Sequence, residues 1–196
     1  LECSRGGGEM SMMRVHSLGD SWTCIEADGT NRGWQVYADL FEEHRHGVPG
    51  STARQWADDD GGILTDALAA MCPGDTVFIS LVGNDFRHAI DDGVLTQDEV
   101  VDACDSLRQV ILRLRASGAH VIVMGYANPY CGNEVAKAAA NALCMMIRKV
   151  ANESGAKYFD VARHLVMPEH FDGKDFHPTA AGHRAIAAAV KQEVNG

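Results

Sequence analysis

The sequence lacks the long hydrophobic runs and the positive charge that mark membrane-spanning and nucleic-acid-binding proteins. No stretch approaches the roughly 18 consecutive apolar residues that a membrane-spanning helix needs. Only 17 Lys and Arg stand against 27 Asp and Glu, a formal net charge of −10, and no basic cluster occurs. Such a chain repels phosphate groups, so the sequence predicts no nucleic-acid partner. Because no apolar run is long enough, it also predicts no membrane span.

Several short motifs are also missing. No serine lies in a G-x-S-x-G turn, and neither a G-x-x-x-x-G-K-[ST] nor a G-x-G-x-x-G loop occurs. No C-x-x-C pair or zinc-type spacing occurs, so the sequence predicts no metal and no cofactor. Because no signal sequence is visible, the thiols are expected to be reduced. The six cysteines are Cys3, Cys24, Cys72, Cys104, Cys131 and Cys144.

The length and composition predict a single folded domain. Apolar residues make up 46% of the 196 residues and charged residues 22%, which is close to the globular average. Residues 1–12 contain no apolar stretch suited to a signal peptide and are interpreted as a flexible leader or expression remnant. Residues 13–196 are then one domain, and the expected location is cytoplasmic.

Short apolar or β-branched runs alternate with helical patterns along the chain. Strands are predicted near 13–18, 44–48, 76–82, 120–126 and 157–161. Helices are predicted at 33–43, 62–71, 97–117, 133–154 and from 179 onward, the third with a Thr96–Glu99 capping box and a Gly118 stop. This alternation predicts a three-layer, flavodoxin-like α/β/α fold whose five-stranded parallel sheet has the order 2-1-3-4-5.

Polar residues follow four of the predicted strands. Asp20 and Ser21 come after the first, "HGVPGST" after the second, Asn84 after the third, and "FDGKDFHPT" after the fifth. In open parallel sheets, ligands bind beyond the carboxyl ends of the strands. These segments are therefore expected to form one site.

The motifs "LGDSW", "GVPGST", "LVGND" and "DFHPTAAGH" resemble those of the SGNH (GDSL-type) hydrolases, and the resemblance spans residues 13–190. It implies a flavodoxin-like fold and cofactor-free hydrolysis of carboxylic esters or thioesters. Ser21 is the implied nucleophile and His177 the implied general base. The implied oxyanion donors are the backbone N–H groups of Ser21 and Gly50 and the side-chain amide of Asn84.

The residue that orients His177 departs from the family's pattern. The usual final motif is Asp-x-x-His, but Lys174 stands three residues before His177, and an ammonium group accepts no hydrogen bond. Asp175 is the first candidate for the third member of the triad, and Asp172 is the second. A backbone carbonyl serving a Ser–His dyad is the remaining alternative.

Other polar residues have simpler interpretations. His16 is expected to be a hydrogen-bonded core histidine, and Asp20 to stabilise a turn. Asp85 is expected to cap the segment after Asn84, and His183 to have a packing or solvent role in the last helix. His44 and His46 form a weak candidate metal pair, since they lie only two positions apart on a predicted strand.

The short chain leaves little sequence for a lid, which favours an open site for short acyl groups, acetylated sugars included. The substrate is then a small-molecule ester. A thioesterase, a lysophospholipase or an acyltransferase would use the same groups. A flavodoxin-like anion-binding module and a metal-dependent hydrolase are the alternatives from other classes.

Overall fold

The computed structural model describes residues 14–23, 42–91, 96–127, 134–166, 169–171 and 177–195. The predicted leader, residues 24–41 with most of the helix predicted at 33–43, and both candidate aspartates, Asp172 and Asp175, lie outside the described residues.

A parallel sheet forms the centre of the molecule. Its strands are β1 (Arg14–Gly19), β2 (Glu42–Arg45), β3 (Thr76–Ser80), β4 (His120–Met124) and β5 (Lys157–Phe159). Four parallel pairings join them in the order β2-β1-β3-β4-β5. All five residues of β3 are buried, as expected for a strand covered on both faces. The prediction of an α/β fold built on a parallel sheet is confirmed.

Helices connect the strands and follow the last one. They are α1 (Ala53–Asp58), α2 (Ile63–Ala69), α3 (Gly83–Asp91), α4 (Gln97–Ala116), α5 (Glu134–Glu153) and α6 (Ala180–Asn195). Short 3-10 turns lie at Ser21–Thr23, Asp60–Gly62 and Val161–Arg163. The sequence reading missed α1 and α3, because six and nine residues are too few to show a helical period.

Alternate residues of each strand point to opposite faces of the sheet. Val77 and Ile79 pack in a cluster with residues of α1, α2, α4 and α5, whereas Phe78 packs in a second cluster with residues of α6. Apolar strands and one apolar stripe per helix thus form two cores, one on each side of the sheet.

The ends of α4 follow the sequence prediction. The Thr96 hydroxyl accepts from the Glu99 N–H, and the Glu99 carboxylate accepts from the Thr96 N–H. Gly118, just beyond the helix, has φ +87°. The predicted capping box and glycine stop are confirmed.

The edge strand β2 corrects one predicted boundary. The sequence predicts a helix through residues 42 and 43, but these residues belong to β2, with Arg14 opposite Glu42 and Val15 opposite Glu43. Glutamate favours helices, and pairing with β1 overrides this local preference.

The thiols also depart from expectation. Cys72 is disulfide-bonded, so the prediction of reduced thiols is wrong for this cysteine. Sequence spacing reveals no such pairing, because tertiary approach decides which cysteines meet. Cys104 and Cys144 are free and half-buried.

Among the described helices, none has the length and apolar character needed to cross a membrane.

Candidate active site

The polar turn after β1 brings Ser21 to the carboxyl edge of the sheet. Its geometry depends on Gly19, whose φ of +127° lies in a region that side-chain-bearing residues rarely adopt. A Cβ at Gly19 would lie 1.9 Å from the carbonyl oxygen of Ser80 on the neighbouring strand. Ser21 then begins a 3-10 turn and keeps 8% of its surface exposed.

His177 approaches Ser21 from the segment before α6. Ser21 Oγ and His177 Nε2 lie 2.7 Å apart, although 156 positions separate them in the sequence. When the proton of His177 is on Nδ1, Nε2 can accept the Ser21 hydroxyl proton. The backbone N–H of Thr179 donates to the carbonyl of His170 at 2.9 Å, and this bond fixes the entry into α6.

The segments after β2 and β3 meet at the end of β1. Asn84 Nδ2 donates to the carbonyl of Ser51 at 2.9 Å, which uses one of its two amide hydrogens. Ser51 Oγ donates to the carbonyl of Gly19 at 3.1 Å, and the N–H of Val48 donates to the same carbonyl at 2.8 Å. Gly50 is exposed and has φ +74°. These bonds tie three strand ends together.

Comparison with protein families gives a match to the GDSL-like lipase/acylhydrolase family over residues 17–185. The protein belongs to this family. It is a carboxylic ester hydrolase, and the family resemblance noted in the sequence is confirmed. A search of curated proteins gave no match.

Solved structures share the fold of this GDSL-family hydrolase at low sequence identity. The acetylxylan esterase Axe2 of Geobacillus stearothermophilus is 17% identical with a TM-score of 0.73, over 94% of both chains. Protein YXIM of Bacillus subtilis is 19% identical with a TM-score of 0.68, over 94% of this chain and 56% of that one.

Asp20, next to Ser21 in the hydrolase, is buried and hydrogen-bonded. Its Oδ1 accepts from the backbone N–H of Trp22 at 3.0 Å and from the Ser80 hydroxyl at 2.9 Å, and its Oδ2 accepts from the Tyr126 hydroxyl. The bond to Trp22 is the predicted turn. Burial raises the pKa of Asp20 to about 6, while these donors and the positive charge of His177 act in the opposite direction.

Two further histidines occupy buried positions. His16 is fully buried, its Nε2 lies 3.0 Å from Asp75 Oδ2, and its ring stacks on that of His46. The prediction of a hydrogen-bonded core histidine is confirmed. His183 is also fully buried on α6, and burial followed by the charge of His177 lowers its pKa to about 4.

The remaining predicted residues have distinct places. Asp85 Oδ2 accepts from the N–H of Ala53, so Asp85 contacts the start of α1 and not the segment after Asn84 that it was expected to cap. The sequence reading missed Tyr126 and Ser80, because nothing in their local sequence signals contact with Asp20. Asp172 and Asp175 lie outside the described residues, so their distances to His177 stay predictions.

A groove of about 640 Å³ lies at the amino-terminal ends of the strands, on the side of the sheet away from Ser21, and is lined in part by Arg115, His120 and Lys157. It lies at the start of β4 and β5, far along the strands from Ser21. In the part of the chain that the structure describes, no three His, Cys, Asp or Glu side chains form a group that could hold a metal ion.

Proposed function

We propose that this GDSL-family enzyme hydrolyses esters of short acyl groups, acetyl esters of carbohydrates among them, through an acyl-enzyme on Ser21. The observation that carries the proposal is the 2.7 Å distance between Ser21 Oγ and His177 Nε2. A serine hydroxyl is a weak nucleophile until a base takes its proton, and an imidazole at this distance can do so.

The first half-reaction forms the acyl-enzyme. Ser21 Oγ attacks the acyl carbon while His177 Nε2 takes the hydroxyl proton. The carbonyl oxygen becomes negative and accepts hydrogen bonds from the N–H groups of Ser21 and Gly50 and from Asn84 Nδ2. His177 then gives its proton to the leaving alkoxide, and the alcohol departs.

The second half-reaction releases the acid. Water attacks the acyl carbon while His177 Nε2 takes one of its protons, and the same three donors hold the second oxyanion. When the tetrahedral intermediate collapses, the proton returns to Ser21 Oγ and the carboxylic acid leaves. The serine is regenerated, and no cofactor takes part.

Protonated His177 needs an acceptor at Nδ1, and we assign this role to Asp175, with Asp172 as the alternative. The Asp20 carboxylate adds negative charge nearby, since His177 and Asp20 interact electrostatically.

One comparison supports acetyl groups. The structural likeness to acetylxylan esterase covers 94% of both chains. At 17% identity this likeness establishes the fold, and the carbohydrate acetate is part of the proposal.

The test measures hydrolysis of 4-nitrophenyl acetate, butyrate and octanoate by the wild type, Ser21→Ala and His177→Ala. Each variant is expected to lose at least about a thousandfold in kcat, because the nucleophile and its base act as a unit. Ser106→Ala, a buried serine of α4, and His120→Ala at the start of β4 are matched controls expected to match the wild type. Near-wild-type turnover by Ser21→Ala rules out the mechanism.

The substrate and the third triad member need separate measurements. The value of kcat/KM is expected to be highest for the acetate, and acetate release from peracetylated xylose tests the carbohydrate preference. A preference for octanoate contradicts the assignment. Asp175→Asn should reduce kcat far more than Asp172→Asn; the reverse order identifies Asp172, and small losses in both indicate a Ser–His dyad.

A further inference from the structure

Tyr126 lies just beyond β4, and its hydroxyl reaches the ends of β1 and β3. The hydroxyl donates to Asp20 Oδ2 and accepts from the backbone N–H of Gly83 at 3.2 Å. Its backbone is held by Cys144, whose thiol donates to the Tyr126 carbonyl at 3.1 Å. One phenol oxygen therefore connects the turn that carries Ser21 with the residue that precedes Asn84.

At the first of these ends, Asp20 transmits the contact to the residues around Ser21. The same carboxylate accepts the N–H of Trp22 at 3.0 Å, so Asp20 and Trp22 hold Ser21 between them. The ring of Tyr126 meets the Trp22 ring edge-on, with centroids 5.2 Å apart. Movement of Tyr126 would shift both neighbours of Ser21.

At the second end, Gly83 follows a strained residue. Val82 has φ +88°, which is a true outlier for a β-branched side chain, and it is 1% exposed. Such a conformation persists only where surrounding contacts hold it. The bond from the Gly83 N–H to Tyr126 is one such contact, directly between Val82 and Asn84.

The fit between Gly83 and Tyr126 is close. A Cβ at Gly83 would lie 2.7 Å from Cζ of the Tyr126 ring, so only glycine allows this approach. The tyrosine and the glycine thus form a matched pair across two strand ends.

We propose that Tyr126 is a positioning residue whose hydroxyl sets the place of Asn84 relative to Ser21, so that nucleophile and oxyanion donor reach one acyl group together. The inference rests on the function proposed above, in which Ser21 attacks and Asn84 stabilises the oxyanion.

The oxyanion forms during the reaction, so misplacing Asn84 weakens binding of the transition state and leaves ground-state binding nearly unchanged. Errors in placement of about 1 Å cost on the order of a hundredfold in rate. Tyr126→Phe is therefore expected to lower kcat roughly 10- to 100-fold and to leave KM within about twofold.

The control is Ser106→Ala. Ser106 is a buried serine of α4. This variant removes a buried hydroxyl that makes no described contact with Tyr126, Asp20 or Gly83, and it should retain wild-type kcat and KM. Equal losses of kcat in both variants, or a wild-type kcat in Tyr126→Phe, overturn the proposal.

A double-mutant cycle separates positioning from a general structural role. If Tyr126 acts through Asn84, its removal should cost less than about threefold in an Asn84→Ala background, because the group it positions is gone. An unchanged loss in that background contradicts the proposal. If Tyr126→Phe fails to fold, Gly83→Ala is the second variant, because it displaces the Tyr126 ring and keeps the hydroxyl. Gly83→Ala should also lower kcat and leave KM nearly unchanged. A wild-type kcat in Gly83→Ala refutes the positioning role.

Ser21→Ala distinguishes the two levels of failure. If Ser21→Ala remains active, the proposed function fails. If Ser21→Ala is inactive and Tyr126→Phe turns over as fast as the wild type, the positioning role alone fails.

Discussion

The buried His183 makes acid sensitivity of folding a quantitative prediction. This side chain lies on α6 with no exposed surface, and burial followed by the charge of His177 lowers its pKa from 6.5 to about 4. Between these two values the unfolded chain binds more protons than the folded protein. Stability is therefore expected to fall as the pH falls from about 6.5 toward 4.

The size of this effect follows from the separation of the two pKa values. A difference of about 2.5 pKa units lowers the unfolding free energy by about 3 kcal/mol once the pH is below both pKa values. About 2 kcal/mol of this loss is expected by about pH 5. His183→Leu removes the titrating group and keeps an apolar side chain in the core. Whatever the difference at neutral pH, the unfolding free energy of the variant relative to wild type should rise by these amounts as the pH falls.

The assay is urea unfolding of the wild type and His183→Leu at several pH values from 7.5 to 4. Ser106→Ala is the control, because it alters another buried position without removing a titrating group. Its stability difference from the wild type should be the same at every pH. If the difference between His183→Leu and wild type is equally flat, then His183 is not held neutral by burial and the reasoning is refuted.

Two further predictions concern the turn that carries Ser21. Burial raises the pKa of Asp20 to about 6, so the folded state binds more protons than the unfolded chain between about pH 4 and 6. Relative to wild type, the unfolding free energy of Asp20→Asn should therefore increase by about 2 kcal/mol from pH 4 to pH 7. This pH dependence is opposite in sign to that of His183→Leu. A difference from wild type that stays constant with pH in urea titrations contradicts the prediction. Gly19→Ala places a Cβ 1.9 Å from the Ser80 carbonyl and should cost more than about 4 kcal/mol, whereas Gly61→Ala, with positive φ and open space, should cost about 1 to 2. Melting curves followed by circular dichroism compare them, and similar melting temperatures would show that the strand contact does not require glycine.

Local chemistry explains which parts of the fold the sequence reveals. The apolar run of β3 reads as a buried strand because both its faces are covered. The Thr96–Glu99 capping box marks the start of α4 because its two hydrogen bonds join residues only three apart. Signals of this kind depend on neighbours along the chain, and they are visible without a structure.

Boundaries and pairings set by distant residues are not visible in this way. Residues 42 and 43 look helical in isolation and become part of β2 through pairing with β1. Cys72 carries no spacing signal, yet it forms a disulfide. For residues 42 and 43 the deciding partner, β1, lies far away in sequence.

The candidate site likewise combines features that are local in the sequence with contacts that only the tertiary structure sets. The sequence alone determined that the chain has serine-hydrolase motifs and that Ser21, Gly50, Asn84 and His177 follow strand ends, because strand alternation and motif spacing are local properties. Only the tertiary structure decided that Ser21 and His177 lie 2.7 Å apart and that Tyr126 joins Asp20 across 106 positions. The physical reason is that hydrogen bonds act over about 3 Å in space, and the packing of the sheet and its helices sets which distant residues come that close.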